Sequence, residues 1–470
     1  MSPVEPQTAT ATADAGGATL VRGLSLLAAT SIVVGGVIGT GVFLKARVMT
    51  CNVDTPGMVL AAWAVAGLLS LAGALTYAEL AVLMPRAGGE YVFIREGYGR
   101  LVAFLYGWTR FFVASTGGIA GLAAGFAIFL NIASGGALAR SPYGLSAVAA
   151  GAIAVVTLVN CAAVTVGGRV ATVMAILKVT LVVGIGAAAL LLAQGDWAHY
   201  SMTAAGGTCE GVLASARGGF AGFGAAMLGA MWAYNGWNEL TYLSGEVDNP
   251  RRTLPIALIG GITILIGLYL LANFSYFYVL SPAQIASVPE SSAVATEVAS
   301  RFLGSGAGGV MAAALAMSVF GALQVTSLAS ARVPYAMAAD GVFFAPLAQV
   351  SPRTRVPVRA LIAQGVWGTL LVFSGSYDVL TDYAIFAVLI FVALATASVF
   401  LFRRRLPDAE RSYRTWGYPI VPVLFLIVAG WLIVNTFMAT PGRALAGVGL
   451  MLAGLPFYWY WTRRLPLPGR

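Results

Sequence analysis

The chain has 470 residues, of which 59% are hydrophobic and 10% charged, with net charge +9 and mean hydropathy +0.85. A soluble chain carries about 25% charged residues, so a water-soluble enzyme or binding module is excluded. The positive charge sits on no soluble basic module, which excludes nucleic acid as a partner and leaves the lipid bilayer as the medium.

Crossing a bilayer takes about 20 apolar residues. Twelve such stretches are predicted, near 25–47, 57–83, 99–133, 144–164, 169–194, 219–244, 254–280, 307–338, 357–374, 379–402, 418–439 and 444–462. The fold class is therefore an all-α polytopic membrane protein. Residues 1–20 are polar and rich in Ala, Thr and Gly, and read as a disordered cytoplasmic tail. They lack the basic start and short apolar run of a signal peptide. With that tail inside, the inner segments hold Arg86, Arg95, Arg100, Arg169, Arg251, Arg252, Arg353, Arg355 and Arg359, with the Arg403–Arg405 run and Arg463. The outer segments hold only Lys45, Arg47, Arg140, Arg217, Arg301 and Arg443. The Lys/Arg bias thus puts both termini in the cytoplasm.

Span 1 carries Val34-Gly-Gly-Val-Ile-Gly-Thr-Gly-Val-Phe43 at its middle. Glycines weaken a helix, and non-helical backbone at bilayer depth is tolerated only where protein buries it or it lines a cavity. A break there leaves free N–H groups and a positive dipole end near Gly39, Thr40 and Gly41, which suit a carboxylate. It also leaves unpaired carbonyls near Val37 and Ile38, which suit an ammonium. The plainer alternative is that the glycines only permit a tight helix crossing, although simple packing motifs space small residues by four. After span 2, Pro85-Arg-Ala-Gly-Gly-Glu-Tyr91 opens a short inner interfacial helix ending near Gly99. Gly117, Gly121 and Gly125 in span 3 form a small-residue packing stripe. Arg110 and Glu79 read as buried, paired with each other or with carbonyls.

Lys178 lies about nine residues into span 5, counted from Arg169, where an ionisable side chain is costly and functional by default. From there it reaches the kink of span 1 and the Gly35 or Gly36 carbonyl; snorkelling to the interface is the alternative. The outer segment 195–218 holds His199, Cys209 and Glu210. Cys51 and Cys209 both fall in outer segments, and the sequence does not supply the distance a disulfide between them needs. Cys161 reads as a packing residue. Span 6 carries Tyr234-Asn-Gly-Trp-Asn-Glu239 at its middle, a second break that frees carbonyls near Trp232 and Asn235. Two broken spans in corresponding positions of two halves point to a transporter's substrate site. Ser291 to Leu303 reads as an outer amphipathic helix, and Asp340 to Val356 separates spans 8 and 9.

Taken in order, Gly36-Val-Ile-Gly-Thr-Gly-Val-Phe43, Tyr77-Ala-Glu-Leu80, Pro85–Tyr91, Gly107-Trp-Thr-Arg110, Asn235-Gly-Trp-Asn-Glu239, Gly245-Glu246, Asn249-Pro250, Leu254-Pro255, Ser330-Ala-Arg332 and Ala339-Asp-Gly341 form an ordered set within a likeness that covers residues 20–465. This set resembles the L-type amino acid transporter family of the amino acid–polyamine–organocation superfamily, with tryptophan at the gate as in bacterial members. The resemblance implies a leucine-transporter-like 5+5 inverted repeat with spans 1 and 6 unwound. The first repeat would run over 21–196, the second over 197–405, with two further spans in 406–470. It implies an amino-acid substrate whose carboxylate meets Thr40 and Gly41 and whose amine meets backbone at Val37, Ile38, Trp232 and Asn235. Trp232 takes the place of the aromatic gate. Val113, Ala114 and Gly118 in span 3, with Ala322 and Thr326 in span 8, take the places of the pocket lining. Lys178 matches a lysine that stands in for sodium in sodium-independent members. Animal members join a heavy subunit through a cysteine between spans 3 and 4; Ser134–Tyr143 has none, so no disulfide-linked partner is expected.

The expected function is sodium-independent exchange or facilitated passage of neutral L-amino acids across the plasma (inner) membrane. Glu239, next to Asn238, keeps open a cationic substrate or proton coupling, and a non-transporting sensor would keep the same site. With one histidine, no His-based metal cluster exists, and neither a metal nor a cofactor is expected. The oligomeric state is left open.

Overall fold

The computed structural model describes residues 18–203, 206–289, 292–375, 377–439 and 441–463, and side chains outside 305, 377–386 and 439. Most of the expected tail, residues 1–17, lies outside the described residues, as do Ser291, Arg464 and Arg470. The described chain is helical, with one isolated bridge between Leu24 and Val247.

In chain order the helices are α1 (Leu26–Val37), α2 (Gly41–Val53), α3 (Pro56–Leu83), α4 (Glu90–Tyr98), α5 (Arg100–Thr109), α6 (Ser115–Ala133), α7 (Gly144–Ala162), α8 (Val164–Leu192), α9 (Gly219–Ala233) and α10 (Pro250–Val279). They continue with α11 (Pro282–Ala286), α12 (Val294–Leu303), α13 (Ala307–Ser330), α14 (Arg332–Ala339), α15 (Val358–Ser374), α16 (Tyr377–Arg405), α17 (Ile420–Ala439), α18 (Pro441–Leu452) and α19 (Leu455–Thr462). Among the described residues nine helical segments are long and apolar enough to cross a membrane. The pair α1 and α2, bent by 41°, makes a tenth, while α9 and α15 are shorter apolar helices. The interfacial helix expected after span 2 is α4, and the outer amphipathic helix is α12.

Local chemistry fixes these boundaries. The Ser25 hydroxyl accepts from Ala28 N–H to start α1, and Thr55 with Pro56 starts α3. Span 3 runs over Arg100–Ala133 and contains a π-helical turn at Arg110–Ala114. Such turns concentrate at functional sites, and this one holds two of the expected pocket residues, Val113 and Ala114.

Two boundaries and one pairing differ from what the sequence predicts. Helix α2 continues to Val53, past the expected end of span 1 near residue 47, so Cys51 lies on the second half of span 1 rather than in a loop. Helix α8 begins at Val164, with only Ala163 between it and α7. Lys178 therefore lies deeper than its distance from Arg169 suggested. Arg110 and Glu79 do not pair with each other: Arg110 meets Glu90, while Glu79 meets Arg403 and Arg411.

The core is formed where α1 packs on α8 and α10, α3 on α10, and α6 on α13. The outer helix α2 packs against α9, α11 and α12. It is also stapled to the outer loop. Cys51 and Cys209 form a disulfide with Cα atoms 5.7 Å apart. Beside it Arg47 donates to the Glu210 carbonyl at 2.6 Å, Asn52 Nδ2 to the Ala216 carbonyl at 2.6 Å, and Gly218 N–H to the Asn52 carbonyl at 2.7 Å. The loop leads directly into α9, so the outer halves of spans 1 and 6 are tied into one piece. Thiol titration of unfolded, unreduced protein should find one free cysteine, Cys161, and three after reduction. Three thiols without reductant would show that the staple does not form. Cys51→Ser should lower the melting temperature by several degrees, because cross-linking so long a loop restricts the unfolded chain.

Candidate functional site

The chain leaves the helix at Ile38 and re-enters at Gly41. Thr40 is the cap of α2, and its side chain makes no capping bond. Phe43 and Leu44 N–H both donate to the Thr40 carbonyl. Among the described residues the Thr40, Gly41 and Val42 N–H groups have no acceptor, as a helix start dictates. Three adjacent amides at a positive dipole end are a site for a carboxylate. Gly41 is required by close approach: a Cβ there would lie 2.5 Å from Ala233 Cβ on α9.

The carbonyls at the other lip are mostly occupied. The Lys178 ammonium is fully buried and donates to the Gly35 and Ile38 carbonyls, each at 2.6 Å. This excludes snorkelling, and it replaces the Gly36 contact considered from sequence with Ile38. The Ser318 hydroxyl on α13 lies 3.2 Å from both the Ile38 and the Gly39 carbonyl oxygens and shares its one proton between them. Val37 O receives Gly39 N–H at 2.8 Å and the Tyr269 hydroxyl at 3.1 Å. Val37 and Ile38, the expected amine contacts, thus each already accept at least one hydrogen bond, and Tyr269, like Ser318, shares its one hydroxyl proton between two carbonyls. Among the described residues the Gly36 and Asn235 carbonyls accept nothing, and both residues are at least partly exposed. They are the acceptors left for an ammonium.

Span 6 breaks where expected. Helix α9 ends at Ala233, and a 3-10 helix runs over Trp237–Glu246. Of the pair expected to take irregular backbone, only Gly236 is left-handed, with φ of 115°. The Tyr269 hydroxyl lies 3.1 Å from Val37 O and 3.0 Å from Ala233 O, and so bridges the two breaks. Nothing in the sequence singled out Tyr269 or Ser318. Both are ordinary polar residues inside long spans, visible only once the breaks they serve are in place.

Trp232 is 46% exposed, and its ring lies beside Gly41 with the Lys45 ammonium 4.7 Å from the ring centroid. Val113 and Ala322 are buried, Ala114 and Thr326 half-buried, and a Cβ on Gly118 would meet open space. The Thr326 hydroxyl is 3.2 Å from both Glu239 carboxylate oxygens. A Cβ on Gly36 would lie 3.8 Å from Glu239 Oε2. Glu239 therefore stands in the wall of the site, behind the span 1 break.

On the side of the breaks away from the disulfide the chain is held by buried polar groups. Glu90 is completely buried and accepts five hydrogen bonds. Tyr77 at 2.8 Å and Asn238 at 2.6 Å reach one oxygen; Tyr106 at 2.7 Å, Tyr242 at 3.1 Å and Arg110 at 3.2 Å reach the other. The hub joins α3, α4, span 3 and the 3-10 segment. Arg332 pairs with Glu246 through two contacts of 2.8 Å, both side chains fully buried. Arg95 and Tyr91 hold Asp340 at 2.5 and 2.8 Å. Sequence reasoning quoted Glu90 within a motif and gave it no role.

The amino acid permease family matches residues 24–460. The chain is 29% identical over 458 residues to the b(0,+)-type amino acid transporter 1 of Mus musculus, covering 96% of this chain and 91% of that protein. It is 31% identical over 453 residues to the serine/threonine exchanger SteT of Bacillus subtilis (strain 168), covering 95% and 98%. It is 27% identical over 462 residues to the large neutral amino acids transporter small subunit 2 of Mus musculus, covering 97% and 84%. This chain belongs to the amino acid permease family, within the L-type branch of the amino acid–polyamine–organocation superfamily. It is a multi-pass membrane transporter of amino acids and not an enzyme.

Two glycines separate packing from pocket. Gly41→Ala should force α2 off α9 and lower amino-acid uptake at least about tenfold, the equivalent of 1.4 kcal/mol. Gly118→Leu should leave the melting temperature within a degree or two while excluding large substrates before small ones. A Gly118→Leu protein with unchanged selectivity would remove that position from the pocket.

Proposed function

We propose that this protein is a sodium-independent secondary transporter of neutral L-amino acids, working by alternating access as an exchanger or facilitator. The observation that carries the reading is the buried Lys178 ammonium on the Gly35 and Ile38 carbonyls. A broken helix leaves carbonyls that a metal cation would otherwise coordinate, and here a fixed cation of the protein supplies that charge. Twelve spans with both termini cytoplasmic, as two inverted five-span repeats over 21–196 and 197–405 followed by two spans in 406–470, are the architecture that suits this reading. So does function without a disulfide-linked heavy subunit.

The substrate's carboxylate would take the Thr40, Gly41 and Val42 amides, and its amine the Gly36 and Asn235 carbonyls. Trp232 would close over it, while Val113, Ala114, Gly118 and Ala322 would receive the side chain. An apolar lining leaves a buried charge uncompensated, which favours neutral side chains. One methylene there discriminates by only about 1–3 kcal/mol, so selection among them should be broad. Inner ion pairs in place, with Trp232 and Asn235 exposed, fit a state open to the outside.

A second reading has its own observation: Glu239 meets the pocket residue Thr326, which favours a cationic side chain or a coupled proton. Uptake of radiolabelled amino acids into proteoliposomes separates the two, with serine, leucine, arginine and glutamate as competitors. Neutral amino acids should compete and glutamate should not; arginine as the sole strong competitor would support the second reading. Rates should be equal in sodium and choline buffers. A steep sodium dependence would defeat the central reading. Lys178→Ala should lower turnover at least about tenfold, because carbonyls left unmade in the interior cost about 1–3 kcal/mol each.

A further inference from the structure

Lys45 is a cation on the wall of the span 1 break that the proposed function does not use. It lies on α2 four residues beyond Gly41, so both occupy one face of the helix, one turn apart. Its ammonium is 4.7 Å from the Trp232 ring centroid, and the same ring reaches within 3.5 Å of a Cβ at Gly41. The ring therefore spans the turn between the free amides and the ammonium. Its neighbour two residues on, Arg47, is occupied by the Glu210 carbonyl. Among the described residues the Lys45 ammonium has no hydrogen-bond acceptor; the π face is its only attractive contact. An ammonium carries three donors. It is half-buried, beside a ring left 46% exposed on the outer side of the site.

We propose that Lys45 is a carboxylate-docking residue of the outer vestibule, which receives the α-carboxylate of an incoming amino acid above Trp232 and hands it one turn down to the Thr40, Gly41 and Val42 amides. The assignment rests on the amino-acid transport reading of the central site. It follows from what each contact can do. A cation on a ring is held by about 0.5–2 kcal/mol, and a charge-assisted hydrogen bond is stronger than a neutral one. An arriving carboxylate therefore competes well for the ammonium and frees the ring to move. One helical turn is about 5.4 Å, a step short enough for the carboxylate to be transferred without being left unpaired. The docking group acts only on substrates arriving from the Trp232 side. It reads the carboxylate common to all amino acids and not the side chain.

The test is transport by the full-length protein in oriented proteoliposomes, with KM for a neutral amino acid measured separately from each face. Lys45→Met keeps the length and apolar stem of the side chain; Lys45→Arg keeps the charge. Lys45→Met should raise KM from the Trp232 side roughly tenfold and leave KM from the opposite side within about twofold. Lys45→Arg should restore most of the loss. In the wild type, raising salt from about 50 mM to about 500 mM should raise KM on the Trp232 side about twofold or more, since the attraction between an arriving carboxylate and a half-buried ammonium is partly screened. That measurement needs no variant to fold. An unchanged KM in Lys45→Met, an equal rise on both faces, or a fall in turnover with KM intact would overturn the proposal and leave Lys45 as a brace for Trp232. In each of those cases the wild type still transports, so the transport reading stands. A wild type that takes up no amino acid would instead overturn the transport reading and this proposal with it.

Discussion

A transmembrane helix that stops in mid-bilayer exposes backbone groups with no water to satisfy them, and the structure turns on how span 1 meets that demand. Lys178 caps the inner half through Gly35 and Ile38, Ser318 covers Ile38 and Gly39, and Tyr269 ties Val37 to Ala233 across to span 6. Three side chains from three neighbouring helices thus cover most of the carbonyl lip and leave the Gly36 carbonyl open. The amide lip has no such cover. On the proposed reading that asymmetry makes the break a site rather than a defect: the protein supplies a cation for its own carbonyls and leaves its N–H groups for a ligand's anion.

The same break sets how the molecule can move. The outer halves of spans 1 and 6 are joined by a disulfide, the Arg47 and Asn52 contacts and close α2–α9 packing at Gly41. Their inner portions are joined by the Leu24–Val247 bridge, with Gly23 and Leu24 N–H both on the Glu246 carbonyl. Spans 1 and 6 are therefore linked above and below the breaks and suited to move as a pair. On the inner side Glu246 also holds Arg332 of α14, and Glu90 draws together α3, span 3 and the 3-10 segment of span 6. Breaking a buried ion pair by removing one partner costs about 3–5 kcal/mol. Inner opening therefore needs replacement partners for these groups and not simple separation.

Much of this was legible in the sequence because it is written in backbone chemistry. Four glycines in seven residues announced the span 1 break, and Asn235-Gly236 announced the second. An unaccompanied lysine in span 5 announced a buried cation at the span 1 break. Pairings across the fold were not legible. Glu79 and Arg110 are both charged residues in apolar surroundings, yet Arg110 meets Glu90, 20 residues back, and Glu79 meets Arg403, 324 residues on, pairings that only packing reveals. The Val37 and Ile38 carbonyls illustrate a different limit. Sequence shows that a break frees carbonyls, but not that Tyr269 and Ser318 arrive to use them. Helix ends were hidden where polarity misleads: Cys51 and Asn52 fall past the expected end of span 1, yet they continue α2, where Asn52 is held by the Ala216 carbonyl and Cys51 by the disulfide to Cys209.

The central claim is that backbone at the two breaks reads both ends of a zwitterion. It is tested most directly by the thermal shift of purified wild-type protein with a neutral L-amino acid, its methyl ester and its decarboxylated amine, each at the same concentration. A ligand that binds the native state stabilises it in proportion to its occupancy. The account predicts a clear upward shift with the amino acid and little or none with either derivative. An amine that stabilises the protein as strongly as the parent amino acid would contradict it, because the free amides of Thr40, Gly41 and Val42 would then have no carboxylate to hold.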